Sequence, residues 1–389
     1  MLNFEYCSPT NYVFGRDTQA RVGELIESCA GAKKVLIVYG NDRIVKSGLY
    51  AQVVRALEEK GMEHVELSGV VPNPRISLVR QGIALAKAEK VDFVLPVGGG
   101  SVIDTGKAVA CGAVYDGDVE AFFAGAAEPQ DSLPVGVVLT LSATGSEGSN
   151  CAVISLDSGE KAGICVDACR PRFAIMNPEL TYTVPKWQTA CGSADIMAHV
   201  LEPYFTRTED VQLTDRLIEG LLKTVIAYAP VTIAEPENYN ARAQLMWCGT
   251  LANSGFLAVG REGDTAPHAL GEMLGGRFDK THGATLSAVL PAWMTYTWRK
   301  KPQRYAQYAR NVWGITEPDP EKAAKLGIEA TREFFRSIGA PVSLHELGID
   351  ADRYAREMAE AISEGWDEVP GFFFDLTAED RYQVYMLAK

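Results

Sequence analysis

VDFVLPVGGGSVIDTGKAVA, residues 91–110, sets a short apolar run against three consecutive glycines and then a stretch of helical character. An apolar run without polar alternation is the pattern of a strand buried on both faces of a parallel sheet. Ser101 opens the helical stretch directly after Gly98, Gly99 and Gly100. Glycine lets the main chain approach a bound group closely, and a helix N-terminus offers free N–H groups and a partial positive charge. A strand–glycine–helix turn at the carboxyl edge of such a sheet therefore suits a phosphate. It is not the GxGxxG fingerprint, and glycine-rich turns also exist merely to turn corners.

Working outward, the same alternation repeats. Upstream lie the strand-like KKVLIVYG, a turn of Gly40, Asn41, Asp42 and Arg43, and a helical segment from Leu49 to Lys60. HVELSG, the turn VPNP containing Asn73, and a helix from Ile76 to Lys90 follow. Further upstream, a helix is expected around Val22 to Ser28, and the weak alternation of Phe4, Tyr6, Tyr12 and Phe14 predicts one or two short strands. Downstream come strand-like LPVGVVLT, a second small-residue loop LSATGSEGSN, and the strand-like CAVISL, KAGICV and FAIMN. Strands alternating with helices of this length predict βαβ units in a parallel sheet. Beyond Pro185 helical periodicity dominates. The expected fold is α/β plus all-α: a Rossmann-like domain over residues 1–185 and a helical metal-binding and substrate domain over 186–389.

The 389 residues suffice for two domains, and the apolar and charged fractions are those of a globular protein. A formal charge of −13 argues against nucleic acid as a partner, because backbone affinity comes from Lys and Arg. No apolar run is read as membrane-spanning, and the start MLNFEYCSPTNYVFG has no basic-then-apolar signal pattern. The eight cysteines are scattered without a CxxC pair and read as buried thiols of a reducing compartment, not as a disulfide frame. The expected location is the cytoplasm.

The stretch from Asp195 to His282 holds three of the five histidines. Asp195 and His199 are four apart in DIMAH, one turn of a helix, so their side chains share a face. His268 follows in an apolar-periodic run, and His282 precedes Gly283. Three imidazoles and a carboxylate suit a borderline divalent cation such as Zn2+ or Fe2+ with room for another ligand. Each of these residues is also compatible with an ordinary polar role.

GGGSVIDTGK, TGSE, NPELTYTVP, the DIMAH helix, HALGEMLGGRFDKTHG and LTAEDRYQVYMLAK, in this order and spacing, resemble the iron-containing (group III) alcohol dehydrogenases. YGNDRIVKSGLY, GDTAPH and ARNVWGI look most like the butanol dehydrogenase and aldehyde reductase branch. The resemblance implies a metal held by Asp195, His199, His268 and His282, the four residues that spacing also proposes. It implies dinucleotide contacts from Asn73, Gly98, Gly99, Gly100, Ser101, Asp104, Thr140, Thr144, Ser149 and Lys161. It further implies hydride transfer between NAD or NADP and a small primary alcohol or aldehyde. A Lewis acid serves that reaction by lowering the pKa of the alcohol before hydride leaves. The N-terminal segment is similar to the family's dimerising strand, so a homodimer is expected.

Three departures from the family pattern stand out. Glu272 occupies the place of a further histidine four residues past His268. The paired threonines ahead of TGSE are Thr140 and Leu141. The branch that uses NADPH usually shows a Gly-rich turn after the first strand, where this chain has Asn41, Asp42 and Arg43. Glu272 has three readings: an orienting or proton-relay group, a solvated helix carboxylate, or a metal ligand. In the turn, a carboxylate favours the ribose 2′-OH of NAD, whereas an arginine attracts the 2′-phosphate of NADP. Branch likeness tilts the expectation to NADP, and family precedent tilts the metal to Fe2+ over Zn2+. Two rival readings are a dehydroquinate-synthase-like lyase and a non-catalytic protein that binds metal and dinucleotide. The first needs clustered Lys and Arg near the metal, and the Asp195–His282 segment is poor in them.

Overall fold

The computed structural model describes residues 1–362, 373 and 375–389. It divides into two compact units, Cys7–Thr183, and Val184–Lys389 together with Met1–Tyr6. The opening residues thus depart from the expected domain that begins at residue 1. The Leu2 N–H donates to the Gly260 carbonyl, and the Met1 amino group donates to that of Glu209. Phe4 and Tyr6 accordingly lie outside any strand, and Tyr6 packs on Phe256.

In the first unit the strands are β1 (Asn11–Phe14), β2 (Lys34–Val38), β3 (Glu63–Leu67), β4 (Phe93–Gly98), β5 (Gly136–Leu139), β6 (Cys151–Ser155), β7 (Lys161–Cys165) and β8 (Phe173–Met176). Six form one sheet in the order β1-β8-β5-β4-β2-β3, with every pairing parallel. The intervening helices are α1 (Val22–Cys29), α2 (Arg43–Lys46), α3 (Leu49–Glu58), α4 (Ile76–Glu89), α5 (Gly100–Ala113) and α6 (Glu120–Phe123). β4 is buried along its whole length, as its unbroken apolar run requires. Val35, Ile37, Phe93, Leu95, Val138, Phe173 and Ile175 bury one face of the sheet against Val22, Ile26 and Val53 of the helices. From β2 the chain steps out to β3 and then returns to the other side of β2 as β4. That reversal opens a crevice at the carboxyl ends of β2 and β4, where ligands bind in sheets of this kind.

β6 and β7 form a separate antiparallel hairpin. Its register sets Cys151 directly opposite Cys165, and the two are joined in a disulfide. Cys7 and Cys29 are exposed. Both findings correct the reading of all eight cysteines as buried thiols. The pair is fourteen apart in sequence, and only strand register makes them neighbours.

The second unit is built from α7 (Lys186–Tyr204), α8 (Gln212–Ala234), α9 (Tyr239–Ala252), α10 (Ala266–Phe278), α11 (His282–Thr297), α12 (Pro302–Trp313), α13 (Pro320–Ser337), α14 (Ala351–Ala361) and α15 (Ala378–Leu387). Its core runs through Met197, Val200, Leu222, Leu270, Leu286, Trp293 and Tyr385. α8 has 23 residues, and an 18-residue stretch of it is apolar enough that, among the described residues, one helix does reach membrane-spanning length and apolarity. It carries Asp215, Arg216, Glu219 and Lys223, and it buries Ile218, Leu222, Val225 and Ala229 in the unit's core. Helix α8 reads as a core helix.

Candidate metal centre and dinucleotide loops

Asp195 lies mid-way along α7, 2% exposed. His268 sits in the first turn of α10, and His282 opens α11. Gly283 lets these helices meet: a Cβ there would come 2.0 Å from the Cys191 carbonyl oxygen, so α11 is in backbone contact with α7 one turn before Asp195. The approach to His268 is pinned by Asp264, whose carboxylate accepts the Ala266 N–H at 2.8 Å and the Phe373 N–H at 3.2 Å.

Ligand atoms of Asp195, His268 and His282 all fall within 4.8 Å of one another. Asp195 Oδ1 is 3.8 Å from His268 Nε2 and 3.6 Å from His282 Nε2. Asp195 Oδ1 and His268 Nε2 are both buried without a hydrogen-bond partner among the described residues. An unpartnered buried carboxylate oxygen is costly unless something positive completes it. Two convergent imidazoles and a carboxylate therefore fit a divalent cation. His199 stands beside this group with its ring 4.4 Å from that of His268. Its Nδ1 turns back to the Asp195 carbonyl at 2.9 Å and lies 3.1 Å from Asp195 Oδ1, so it is outside the convergent three.

The electrostatics favour positive charge here. Burial alone would raise the Asp195 carboxyl, but the neighbouring imidazoles of His199, His282 and His268 hold it below the usual carboxylate range. Burial likewise pushes His268 down, and the Glu202 and Asp195 carboxylates outweigh it and push it up. Two carboxylates facing one imidazole create a negative potential that a proton or a metal ion can answer.

Glu202 had no role in the sequence reading. It lies on α7 seven residues after Asp195, hence on the same face, and is 7% exposed. Its Oε1 accepts the His268 backbone N–H at 2.9 Å and lies 2.7 Å from His268 Nδ1, off the line of a ring hydrogen bond. An acid at helical spacing from Asp195 within the apolar VLEPY was the available signal. Glu272 is half-buried on α10, one turn past His268, so it is not a fully solvated carboxylate.

At the carboxyl end of β4, α5 begins at Gly100 with Gly99 as its N-cap. The three glycines are required by the protein's own packing: a Cβ on Gly98 would meet Val102, on Gly99 Leu141, and on Gly100 Thr144, each within 3.0 Å. Leu141, which replaces a threonine of the family pattern, is thus what Gly99 packs against. Thr140 ties the two loops together, its N–H donating to the Gly98 carbonyl at 3.0 Å.

Lys107, quoted in the glycine motif without a role, organises the second loop. Its fully buried Nζ donates to the Ser146 carbonyl at 2.7 Å, the Ser149 carbonyl at 2.9 Å and the Cys151 carbonyl at 2.8 Å, and to Ser146 Oγ at 2.9 Å. Asp104 accepts from Ser146 Oγ at 2.6 Å and from the Val153 N–H at 3.1 Å. Burial raises the Asp104 carboxyl, while Lys107, Ser146 and more weakly Lys161 pull it down. Thr144 Oγ1 accepts the Ser146 N–H at 3.2 Å. Asn73, buried with a φ of 56°, precedes α4, and the adjoining Pro74 carbonyl accepts the Ser155 N–H of β6 at 2.7 Å. Asp42 and Arg43, both exposed, follow β2. Asp42 pairs with Lys46 at 2.5 Å.

A parallel sheet with glycine-rich loops at its switch point, and a helical unit with a carboxylate–imidazole cluster, define a class. The iron-containing alcohol dehydrogenase model matches residues 9–178, and the C-terminal model of the Fe-containing alcohol dehydrogenase family matches 189–369. The chain belongs to this family, and its chemistry is NAD(P)-linked oxidoreduction between alcohol and aldehyde.

Among individual relatives, it is 38% identical to NADH-dependent butanol dehydrogenase A of Clostridium acetobutylicum over 99% of both chains. It is 36% identical to the NADPH-dependent aldehyde reductase YqhD of Escherichia coli over the whole of both. The crystal structure of NADH-dependent butanol dehydrogenase A from Thermotoga maritima superposes with a TM-score of 0.96 at 39% identity, covering 100% of this chain and 99% of that one.

Proposed function

We propose that the protein interconverts a small primary alcohol and its aldehyde using Fe2+ and NADP(H). The observation that carries the metal is the convergence of Asp195 Oδ1, His268 Nε2 and His282 Nε2 with two of the three buried and unpartnered. His199 completes the ligand set when its ring turns from the Asp195 carbonyl. The bound cation would supply Lewis acidity to the substrate oxygen. Zn2+ is the alternative, since nitrogen-rich sites bind it more tightly than Fe2+. The N–H groups that open α5 would hold the pyrophosphate, and Lys161 would reach the nicotinamide ribose. Glu272 would relay a proton or orient its neighbours in place of the family's histidine.

Preference for NADP(H) is supported by the turn after β2. Lys46 engages the Asp42 carboxylate, which leaves the exposed Arg43 guanidinium to meet a 2′-phosphate. A homodimer is proposed on the exposed apolar side chains Met1, Leu2, Phe4 and Tyr6; only monomer by light scattering at micromolar concentration would remove it.

The test is purification without added metal, a metal assay, and consumption of NADPH or NADH with butanal by wild type and His268→Ala. Metal-dependent consumption lost in the variant is expected. Binding of metal and dinucleotide with no consumption would move the reading to the lyase or the non-catalytic alternative.

A further inference from the structure

We propose that Glu202 is a positioning residue for the metal centre: its carboxylate holds His268 as the Nδ1–H tautomer with Nε2 presented to the cation. The proposal rests on the metal reading above.

One oxygen, Glu202 Oε1, serves two groups of the same residue. It accepts the His268 main-chain N–H at 2.9 Å and stands 2.7 Å from Nδ1 of the ring. On the other side of the ring, Nε2 looks toward Asp195 Oδ1 at 3.8 Å. A neutral imidazole carries its proton on one nitrogen, and a carboxylate, which only accepts, selects the nitrogen nearest to it. Nε2 then keeps the lone pair that a metal needs. This requires the ring to turn until Nδ1–H lines up with Oε1, 2.7 Å away.

One further contact makes Glu202 a builder of the site. The Glu202 carbonyl accepts the Asp264 N–H at 3.0 Å, and Asp264 in turn caps the entry to α10 at Ala266. α7 therefore supplies Asp195 as a ligand and Glu202 as the orienter of a ligand on another helix, seven residues apart on one face. Charge also matters. Asp195 and Glu202 together neutralise a divalent cation held by neutral imidazoles, so no net charge is left in a buried site.

Glu202→Gln keeps an oxygen for the His268 N–H and removes the charge. Metal affinity is measured by chelator competition with Co2+ as probe, together with the visible Co2+ spectrum. The expected result is a folded variant whose Co2+ affinity falls about 10- to 100-fold, the range found for carboxylates behind metal-bound histidines. Equal affinity with an unchanged Co2+ spectrum in Glu202→Gln would overturn the proposal. Nitrogen-15 histidine NMR of zinc-loaded wild type provides a measurement that needs no variant. It should identify His268 as Nδ1-protonated and Nε2-ligated, and ligation through Nδ1 would equally overturn the proposal. Wild type that binds no divalent cation defeats the metal reading itself, a separate outcome.

Discussion

A methyl group on Gly283 would come within 2.0 Å of the Cys191 carbonyl oxygen. The absent side chain is what seats the start of α11 on α7 and turns His282 toward Asp195, 3.6 Å away. Backbone cannot yield as a flexible side chain can, so Gly283→Ala must separate the helices. We expect a loss of about 3 kcal/mol, the upper end of overpacking costs, and impaired metal binding in whatever folds. Denaturant unfolding and metal analysis of the variant check both; wild-type stability would mean the helices part freely.

Lys107 should matter to stability and to dinucleotide binding alike. Lys107→Met leaves the Ser146, Ser149 and Cys151 carbonyls without their buried donor and Asp104 without its nearby cation. Breaking one partner of a buried pair costs about 3–5 kcal/mol. Thermal unfolding and NADPH fluorescence titration are the measurements, with a lower midpoint and weaker binding expected.

Cofactor choice should move with Arg43. Arg43→Ala is expected to lower kcat/KM for NADPH by about 10- to 100-fold, the value of one charge-assisted contact, with NADH little changed. Asp42→Asn should act in the opposite sense, raising NADPH use. Equal losses with both dinucleotides after Arg43→Ala would assign the turn to general binding.

Acid stability should depend on Asp215. Burial raises this carboxyl, but the paired Arg304, at 2.5 and 2.6 Å, and Arg261, at 2.9 Å, outweigh it and hold it below its ordinary value. A depressed folded-state pKa contributes stability that is complete above the unfolded value, near 4, and is lost as pH falls through the folded value. The acid limb of unfolding should therefore flatten in Asp215→Asn, which will also be less stable at neutral pH. A parallel pH profile in the variant would contradict the linkage.

Thiol counting tests the hairpin. Of eight cysteines, Cys151 and Cys165 are joined, so six should titrate in denaturant without reductant and eight after reduction. Eight without reductant would return the chain to the all-thiol state that its scattered cysteines first suggested.

Much of this protein is written in local pattern. The apolar run before Gly98 predicted β4, the alternation around it predicted the parallel sheet, and the four-residue spacing of Asp195 and His199 put them on one helical face. Periodicity and turn chemistry are short-range, so sequence alone carries them. The rest required distant pieces to meet. Glu202 became a neighbour of His268 across sixty-six residues only when α10 packed on α7. Lys107 found the second loop across about forty residues, and Cys151 met Cys165 through hairpin register. The glycines of residues 98–100 were read locally as room for a phosphate; only the fold shows that a Cβ on them would meet Val102, Leu141 and Thr144. Sequence by itself determined which elements form and which residue types could bind a cation. Only the tertiary structure decided who faces whom, because helix packing and strand register are set by the summed burial of whole faces, which no single stretch of chain contains.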